Sequence, residues 1–593
     1  MRMGEKKEKQ TGRLYAFLFL IPFVMGGYMV WCSALATSIL LIVLCCESPE
    51  AHLRKTRSQN KPPFPFHRTG KEDGAGNWKD RRKGFDDAMV PLICLPVMLL
   101  AATFWGVDRG QAWFGFVKFL PMPLFLAAVR RIPEKGKREL WDAVPSGGIV
   151  MTVVSVAVWC IPATRGWVQV NGRLAGFFQY PNAYAIYLLC GILVRMEQPF
   201  GKRHRDALSY LVLTAGLLLS GSRTALVLAG AAMLGLLWHK RGKVRIGMVL
   251  SILAGGIFLL LFLLTMTGNS WVLKRYLILP VHSSTFLGRL LYAADALPVI
   301  AGHPLGLGYQ GYYFLQGSFQ TGVYAVRHVH NELLQLLLDV GWLPAAFMLY
   351  ALWKAFRRLG YYKRLILIVL LCHSLFDFDF QFLSLGCILT LLMEEGEGRQ
   401  TRLSCGRPER KAIVSALALA FLCLWVGAAD FLAYMKYPAV VVRIYPAHTE
   451  SWMALLGGAE GPEELNRIAD RILQYNQCVS FAYDAKATAA YLEGDTQKLV
   501  DHKLRAIGLA RYETEKYEDY FEKLFILFQL YRDAGMTRSA DYCRERLMEI
   551  PAMLEQVKAN SSKLAWEIYD KPQLDLPEGM QAVLDGPDLF LVP

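Results

Sequence analysis

Residues 268–331 read GNSWVLKRYLILPVHSSTFLGRLLYAADALPVIAGHPLGLGYQGYYFLQGSFQTGVYAVRHVHN. This is the longest connection inside an otherwise apolar array. It carries Arg275, Arg289, Arg327, His282, His303, His328 and His330, with glycines at 302, 306, 308 and 311. It ends where an apolar helix is predicted to begin, at His330-Asn331-Glu332-Leu333-Leu334-Gln335. A connection this long is either functional or disordered, and its many Tyr, Phe and Leu side chains argue against disorder. The segment therefore reads as an ordered cap over a functional site.

The sequence on either side of the cap decides the fold class. Of 593 residues 54% are apolar and only 19% are charged, which is not the balance of an ordinary soluble protein. The apolar residues also fall in blocks. IVMTVVSVAVWCIPA (149–163), MVLSILAGGIFLLLFLLTM (248–266) and IVSALALAFLCLWVGAA (413–429) approach the ~20 residues a membrane helix needs. Spans are predicted near 14–30, 33–46, 87–106, 111–129, 145–163, 181–196, 207–221, 224–238, 246–267, 332–353, 364–377, 380–393 and 412–434. The fold expected is an all-α polytopic membrane protein with about 12–13 transmembrane helices. The first span follows Arg2, Lys6, Lys7, Lys9 and Arg13 as a signal peptide would, but a second span follows at once without a small-residue cleavage site.

The net charge of +15 is not a nucleic-acid signal, because its placement follows the spans. The inner segments 1–13, 47–86, 130–144, 197–206, 239–245, 354–363 and 394–411 hold 36 Lys and Arg residues, and the outer connections 31–32, 107–110, 164–180, 222–223, 268–331 and 378–379 hold 8. By the positive-inside rule, the N-terminus, 47–86 and 394–411 face the cytoplasm, and 268–331 and the C-terminus face outward. Two hairpins follow from charge. A single helix over 207–238 would leave Arg223 at mid-membrane, at roughly 2.5–3.5 kcal/mol, so a turn is expected at Gly221-Ser222-Arg223. Asp377 and Asp379 divide 364–393 in the same way. Twelve cysteines are scattered without C-x-x-C or zinc-like spacing and read as small apolar residues.

Beyond Met435 the pattern changes. EELNRIADRILQY (463–475), KLVDHKLRAIGLA (498–510) and SADYCRERLMEI (539–550) alternate at helical spacing. Tyr491-Leu492-Glu493-Gly494 recurs loosely as Tyr531-Arg532-Asp533-Ala534-Gly535. The expected organisation is a membrane domain over 1–434 and an extracytoplasmic soluble α-helical domain over 435–593. A tetratricopeptide-like repeat and a plain helical bundle are both compatible with it, since the 40-residue offset exceeds the ~34 of that repeat.

Candidate chemistry lies at the outer ends of the spans. Arg173, Arg223 and Arg289 sit on the side that is poor in cations. One such arginine reads as a side chain reaching for lipid headgroups, but several together suit phosphate oxygens, to which the guanidinium fork donates in pairs. His330 precedes a helix that Asn331 can cap, at the end where anions also bind. His328-Val329-His330 has no carboxylate-rich companions, so no metal and no cofactor are expected. Asp377 and Asp379 face the same side.

The order of GRLAGFFQYPNAYA (172–185), LLLSGSRTALV (217–227), GRLLYAADALPVIAGHPLGLGYQGY (288–312) and HVHNELLQLLLDVGW (328–342) resembles the O-antigen ligase/polymerase family over roughly 86–393. That resemblance implies a membrane glycosyltransferase in polysaccharide biosynthesis of the cell envelope. Arg223, Arg289 and His330 match the family's functional set, and Arg173 matches a supporting position. Arg327 and Asp377 are expected, with Arg173, Arg223 and Arg289, to bind substrate. The implied donor is a polyprenyl-diphosphate-linked (undecaprenyl-type) glycan and the acceptor a hydroxyl of a glycan, lipid or protein, at the outer side of the cytoplasmic (inner) membrane. Direct displacement at the sugar C1 would invert its configuration. Membrane lipids and a cell-envelope protein bound by the C-terminal domain are the other partners expected. The basic 47–86 segment, the thirteenth span and the appended helices depart from the family pattern. A transporter and a non-catalytic wall-assembly scaffold are the rival readings; against the transporter stand the lack of a charged residue set near mid-span and of paired interrupted helices.

Overall fold

A computed structural model describes residues 2–45, 88–197, 203–240, 284–397 and 410–586. The basic segment 47–86, the predicted span 246–267 and loop residues 268–283 lie outside the described residues. The protein is all-α, with apolar helices forming a polytopic membrane body. The sheet among the described residues is a two-stranded hairpin pairing Gln169 with Leu174 and Val170 with Arg173. Its turn, Asn171-Gly172, takes φ of 48° and 75°, the left-handed geometry of a tight hairpin.

Helices Gln111–Val129, Glu134–Cys160 and Arg410–Tyr434 are long and apolar enough to cross a membrane, among the described residues. Shorter apolar helices include Val30–Cys45, Met89–Ala101, Asp206–Leu219 and Arg223–Leu236. Ile42, Val97, Val153, Val227, Leu234, Leu417 and Phe421 point outward and exposed. In water such a surface would be an aggregation hazard; against lipid it is the expected outer face. The core beneath it joins Leu14, Phe125, Tyr184, Tyr187, Leu370, Phe382 and Ile388, all essentially inaccessible.

Both charge-dictated hairpins are present. Arg203–Leu219 and Arg223–Lys240 are separated by a turn in which Gly221 takes φ +62°. Ser220 Oγ accepts from Ser222 N at 3.2 Å and donates to Leu217 O at 2.6 Å, supplying partners that the broken helix cannot. Tyr361–Ser374 and Leu383–Glu397 are likewise separated by 375–382, which holds a short 3₁₀ turn at Asp379–Gln381.

The expected continuous span 332–353 does not form. Glu332–Val340 and Trp342–Arg358 are separate helices joined at Gly341, whose φ is +77°. A Cβ there would lie 2.1 Å from Pro304 O, and Trp342 N donates to Pro304 O at 3.0 Å. The apolar side of Glu332–Val340 packs instead on the cap helix Ser284–Gly302, with Leu338 against Ala296, Val299 and Ile300. The first two spans, expected at 14–30 and 33–46, are Arg2–Leu20 and Val30–Cys45. Between them two 3₁₀ turns include Gly26 and Gly27 at positive φ.

After Tyr434 the helices Pro438–Ile444, Thr449–Leu456, Pro462–Tyr475, Ser480–Leu492, Thr496–Leu509, Thr514–Asp533 and Thr537–Ala559 follow in short succession. The two loosely repeated motifs end their helices at Gly494 and Gly535, both at positive φ. Lys503 joins Asp484 and Asp519 at 2.7 and 2.6 Å and ties three of these helices together. The array also meets the cap and the loop at 107–110. Asn476 Nδ2 donates to the buried Asp108 at 3.1 Å, and Arg109 N to Tyr475 O at 3.1 Å. Arg511 N donates to Gly317 O at 3.3 Å, and Ser562 N to Thr321 O at 2.9 Å.

Candidate active site

The turn 375–382 places two buried carboxylates two residues apart. Asp379 pairs with His373 on the preceding helix, Nδ1 to Oδ2 at 2.7 Å, with both side chains inaccessible. Burial and the neighbouring Asp377 charge raise the Asp379 carboxyl, and His373 opposes them. Asp377 is different. Tyr180 OH and Phe378 N donate to its Oδ1 at 2.7 and 3.0 Å, and Asn182 Nδ2 and Arg289 Nη2 to its Oδ2 at 2.7 and 3.2 Å. Burial alone would raise its pKa, but the Arg289 guanidinium and the His330 ring outweigh burial and hold it well below the carboxylate range. Asp377 was expected to bind substrate. With 2% of its side chain exposed and both oxygens occupied, it is a hub on which the neighbours are oriented.

Those neighbours come from four parts of the chain. Arg289 sits in the second turn of the cap helix Ser284–Gly302 and reaches Asp377 across 88 positions of sequence. Arg223 opens the helix after the Ser220–Ser222 turn, half-buried and near enough to Arg289 for the two positive charges to repel. Arg173 lies beneath them. Its Nε donates to Ser220 O at 2.7 Å and its Nη2 to Asn182 Oδ1 at 2.6 Å. One guanidinium thus fixes both the turn that presents Arg223 and the asparagine that holds Asp377.

His330 closes the ring. Its Nδ1 stands 3.6 Å from Asp377 Oδ1, and its ring meets Phe378 edge-on at 5.0 Å and Tyr292 at 6.3 Å between centroids. Its φ is +55°, a conformation that non-glycine residues seldom adopt and that is often found at functional sites. The next residue anchors that geometry: Asn331 Oδ1 accepts from Leu334 N at 3.1 Å and caps the helix, as expected. His328 faces inward. Its Nε2 lies 3.2 Å from Tyr28 OH, and burial and then the nearby positive charge of Lys118 hold its imidazole well below the usual value.

Arg327, expected among the substrate-binding residues, joins a different part of the molecule. Its Nη2 pairs with Glu450 Oε1 at 2.5 Å and its guanidinium stacks over Tyr313. The carboxylate draws it toward the C-terminal helices and away from the Asp377 cluster. The residues that sequence reasoning undervalued are Tyr180 and Asn182. Both stood in the quoted FFQYPNAYA run, but nothing in the pattern linked them to an acid 195 positions later.

Beside this cluster lies an apolar cavity of about 400 Å³. Glu332 and Gln381 line it at the turn, and Leu349, Leu352, Trp353 and Leu375 line it among the helices. The arrangement can hold an anion on two guanidiniums next to an imidazole, with room for an apolar chain alongside. No curated protein matches the chain. Residues 208–349, which include Arg223, Arg289 and His330, match the family model described as O-antigen ligase, so this part of the chain is similar to that family.

Proposed function

We propose that the protein is an inverting, metal-independent glycosyltransferase that moves a glycan from a polyprenyl-diphosphate donor to an acceptor hydroxyl at the outer side of the cytoplasmic membrane. The observation that carries this reading is the meeting of Arg289 and His330 at a buried Asp377, with Arg223 near enough to Arg289 for their charges to repel. Two guanidiniums held against their mutual repulsion favour a dianionic ligand such as a diphosphate.

In the proposed reaction the acceptor oxygen attacks the donor C1 from the face opposite the diphosphate. As the new C1–O bond forms, the bond from C1 to the diphosphate oxygen breaks, and its electron pair leaves with the diphosphate. Arg223 and Arg289 stabilise that growing charge. His330 takes the acceptor proton on Nε2, while Asp377, 3.6 Å from Nδ1, stabilises the imidazolium that results. The configuration at C1 inverts. The apolar cavity at Leu349 and Leu352 suits the isoprenoid chain of the donor.

The test is transfer by the full chain reconstituted in liposomes with a lipid-linked donor. Activity should persist in chelator and fall by roughly 10²–10⁴-fold in His330→Ala. Loss of activity in chelator with rescue by a divalent ion, or full turnover in His330→Ala, overturns the mechanism. Mass spectrometry of lipid-linked glycans in cells lacking the protein separates the acceptors. Single repeats accumulate if the acceptor is another lipid-linked repeat, and full-length chains if it is not.

A further inference from the structure

The C-terminal helices end in a stretch that returns to the site. After Thr537–Ala559 the chain makes a 3₁₀ turn at Lys563–Trp566 and runs along the cap helix Ser284–Gly302. Ala565 and Ile568 are buried against Leu291 and Tyr324, with Leu287 and Tyr292 packed at the edge. Tyr569 N donates to Ser284 Oγ at 2.9 Å, and Ser562 N to Thr321 O at 2.9 Å. The fit is close: a Cβ on Gly322 would lie 2.7 Å from Ala565 Cβ. Ser284 is five residues before Arg289, roughly 7.5 Å along a helix axis. Asp570 is near enough to Tyr292 to act on its hydroxyl electrostatically, and the Tyr292 ring is 6.3 Å from that of His330.

What this anchored stretch leaves outside is unusual. Tyr569 is 87% exposed and Trp566 is 40% exposed, although Ala565 and Ile568 beside them are buried and Tyr569 N is held by Ser284. Glu567 and Asp570 are exposed beside them. Large rings on a fixed backbone, interleaved with carboxylates, match one ligand chemistry well. The C–H faces of a pyranose are slightly positive and pack on the negative face of an aromatic ring, while its hydroxyls donate to carboxylates.

We propose that Trp566–Asp570 is a saccharide subsite at the rim of the active site, with Trp566 and Tyr569 stacking on sugar rings and Glu567 and Asp570 accepting from their hydroxyls. It rests on the glycosyl-transfer reading for the identity of the sugar, which belongs either to the donor glycan, beyond the unit attacked at C1, or to the acceptor. The C-terminal helices then supply part of the substrate site.

The probe is the oligosaccharide released by mild acid from the cell's own lipid-linked glycans. It is titrated into the detergent-solubilised full chain with saturation-transfer NMR. Tyr569→Ala should weaken its binding by about tenfold, the effect of one aromatic contact, and Tyr569→Phe should not. Arg289→Ala should leave it unchanged, because the released sugar carries no diphosphate. In the transfer assay Tyr569→Ala should raise one KM while leaving kcat within about twofold. A rise in the donor KM assigns the subsite to the donor glycan, and a rise in the acceptor KM assigns it to the acceptor. Binding and both KM values unchanged in Tyr569→Ala and Trp566→Ala overturn the subsite even where Arg289→Ala abolishes transfer. Weakened sugar binding in Tyr569→Ala with transfer unaffected by Arg289→Ala and His330→Ala upholds the subsite and overturns the proposed catalytic assignment.

Discussion

At the scale of single residues, the site is organised by one buried charge. Asp377 orients Arg289, Tyr180 and Asn182 and faces His330, so its removal should act on geometry and stability together. Asp377→Asn leaves the buried Arg289 without its counter-charge, a change that costs about 3–5 kcal/mol in comparable pairs. The sign of its pH dependence follows from direction. The folded-state pKa lies below the ordinary 3.8, so the contribution is complete above that value and is lost only as pH falls through the folded-state pKa. The difference in melting temperature between wild type and Asp377→Asn should therefore be constant from pH 8 to 5. A difference that vanishes between pH 7 and 6 would show that Asp377 is not held charged. Arg289→Lys and Arg223→Lys keep the charge but lose the fork. Each should lower kcat/KM by about tenfold or more, measured with the lipid-linked donor. A wild-type rate in both lysine variants would mean that bulk charge, and not paired hydrogen bonds, holds the diphosphate.

Among elements, what could be read from sequence divides along physical lines. Arg223 and the pair Asp377 and Asp379 announced their hairpins, because a charge at mid-membrane is expensive and a turn removes it. The break at Gly341 gave no such signal. It depends on how closely Pro304 approaches, and that contact links segments far apart in the chain. The site was legible where a residue's own neighbours defined it, as with Asn331 capping the helix behind His330. The pairing of Arg327 with Glu450 was not legible, because the two lie 123 positions apart. Another such element is the loop at 107–110, where Asp108 Oδ1 accepts from Gly110 N and Gln111 N while Oδ2 accepts from Asn476. Burial pushes the Asp108 carboxyl up to about 6. A raised carboxyl contributes stability that is complete below its ordinary 3.8 and is lost as pH rises through about 6. The contact between this loop and the helix Pro462–Tyr475 should loosen over that window, and proteolysis of the C-terminal helices should quicken. Asp108→Asn should flatten the dependence. An identical pH profile in that variant would assign the loosening to another group.

For the whole molecule, one set of contacts fixes which segments share a side. Asn476 with Asp108, Arg511 with Gly317, Ser562 with Thr321 and Tyr569 with Ser284 gather the loop at 107–110, the cap and the C-terminal helices at one end. At the other end Glu394 pairs with Arg130 at 2.7 Å and Lys137 at 3.0 Å, and Lys363 pairs with Glu197 at 2.9 Å. These are the segments that the distribution of Lys and Arg assigns to the cytoplasm, yet the contacts owe nothing to that rule. For these described segments the contacts and the charge distribution agree on which ones lie together, though contacts alone are indifferent to which end faces out. The positive-inside rule supplies that direction, and labelling tests it. In a background without native cysteines, Asn560→Cys and Lys135→Cys both lie at exposed positions at opposite ends. An impermeant maleimide should label Asn560→Cys in intact cells and Lys135→Cys only after permeabilisation. The reverse pattern would place the Asp377 cluster in the cytoplasm, where the proposed transfer at the outer surface could not occur. Labelling of both in intact cells would break the division into two ends, and the shared side of cap and C-terminal helices would fail with it.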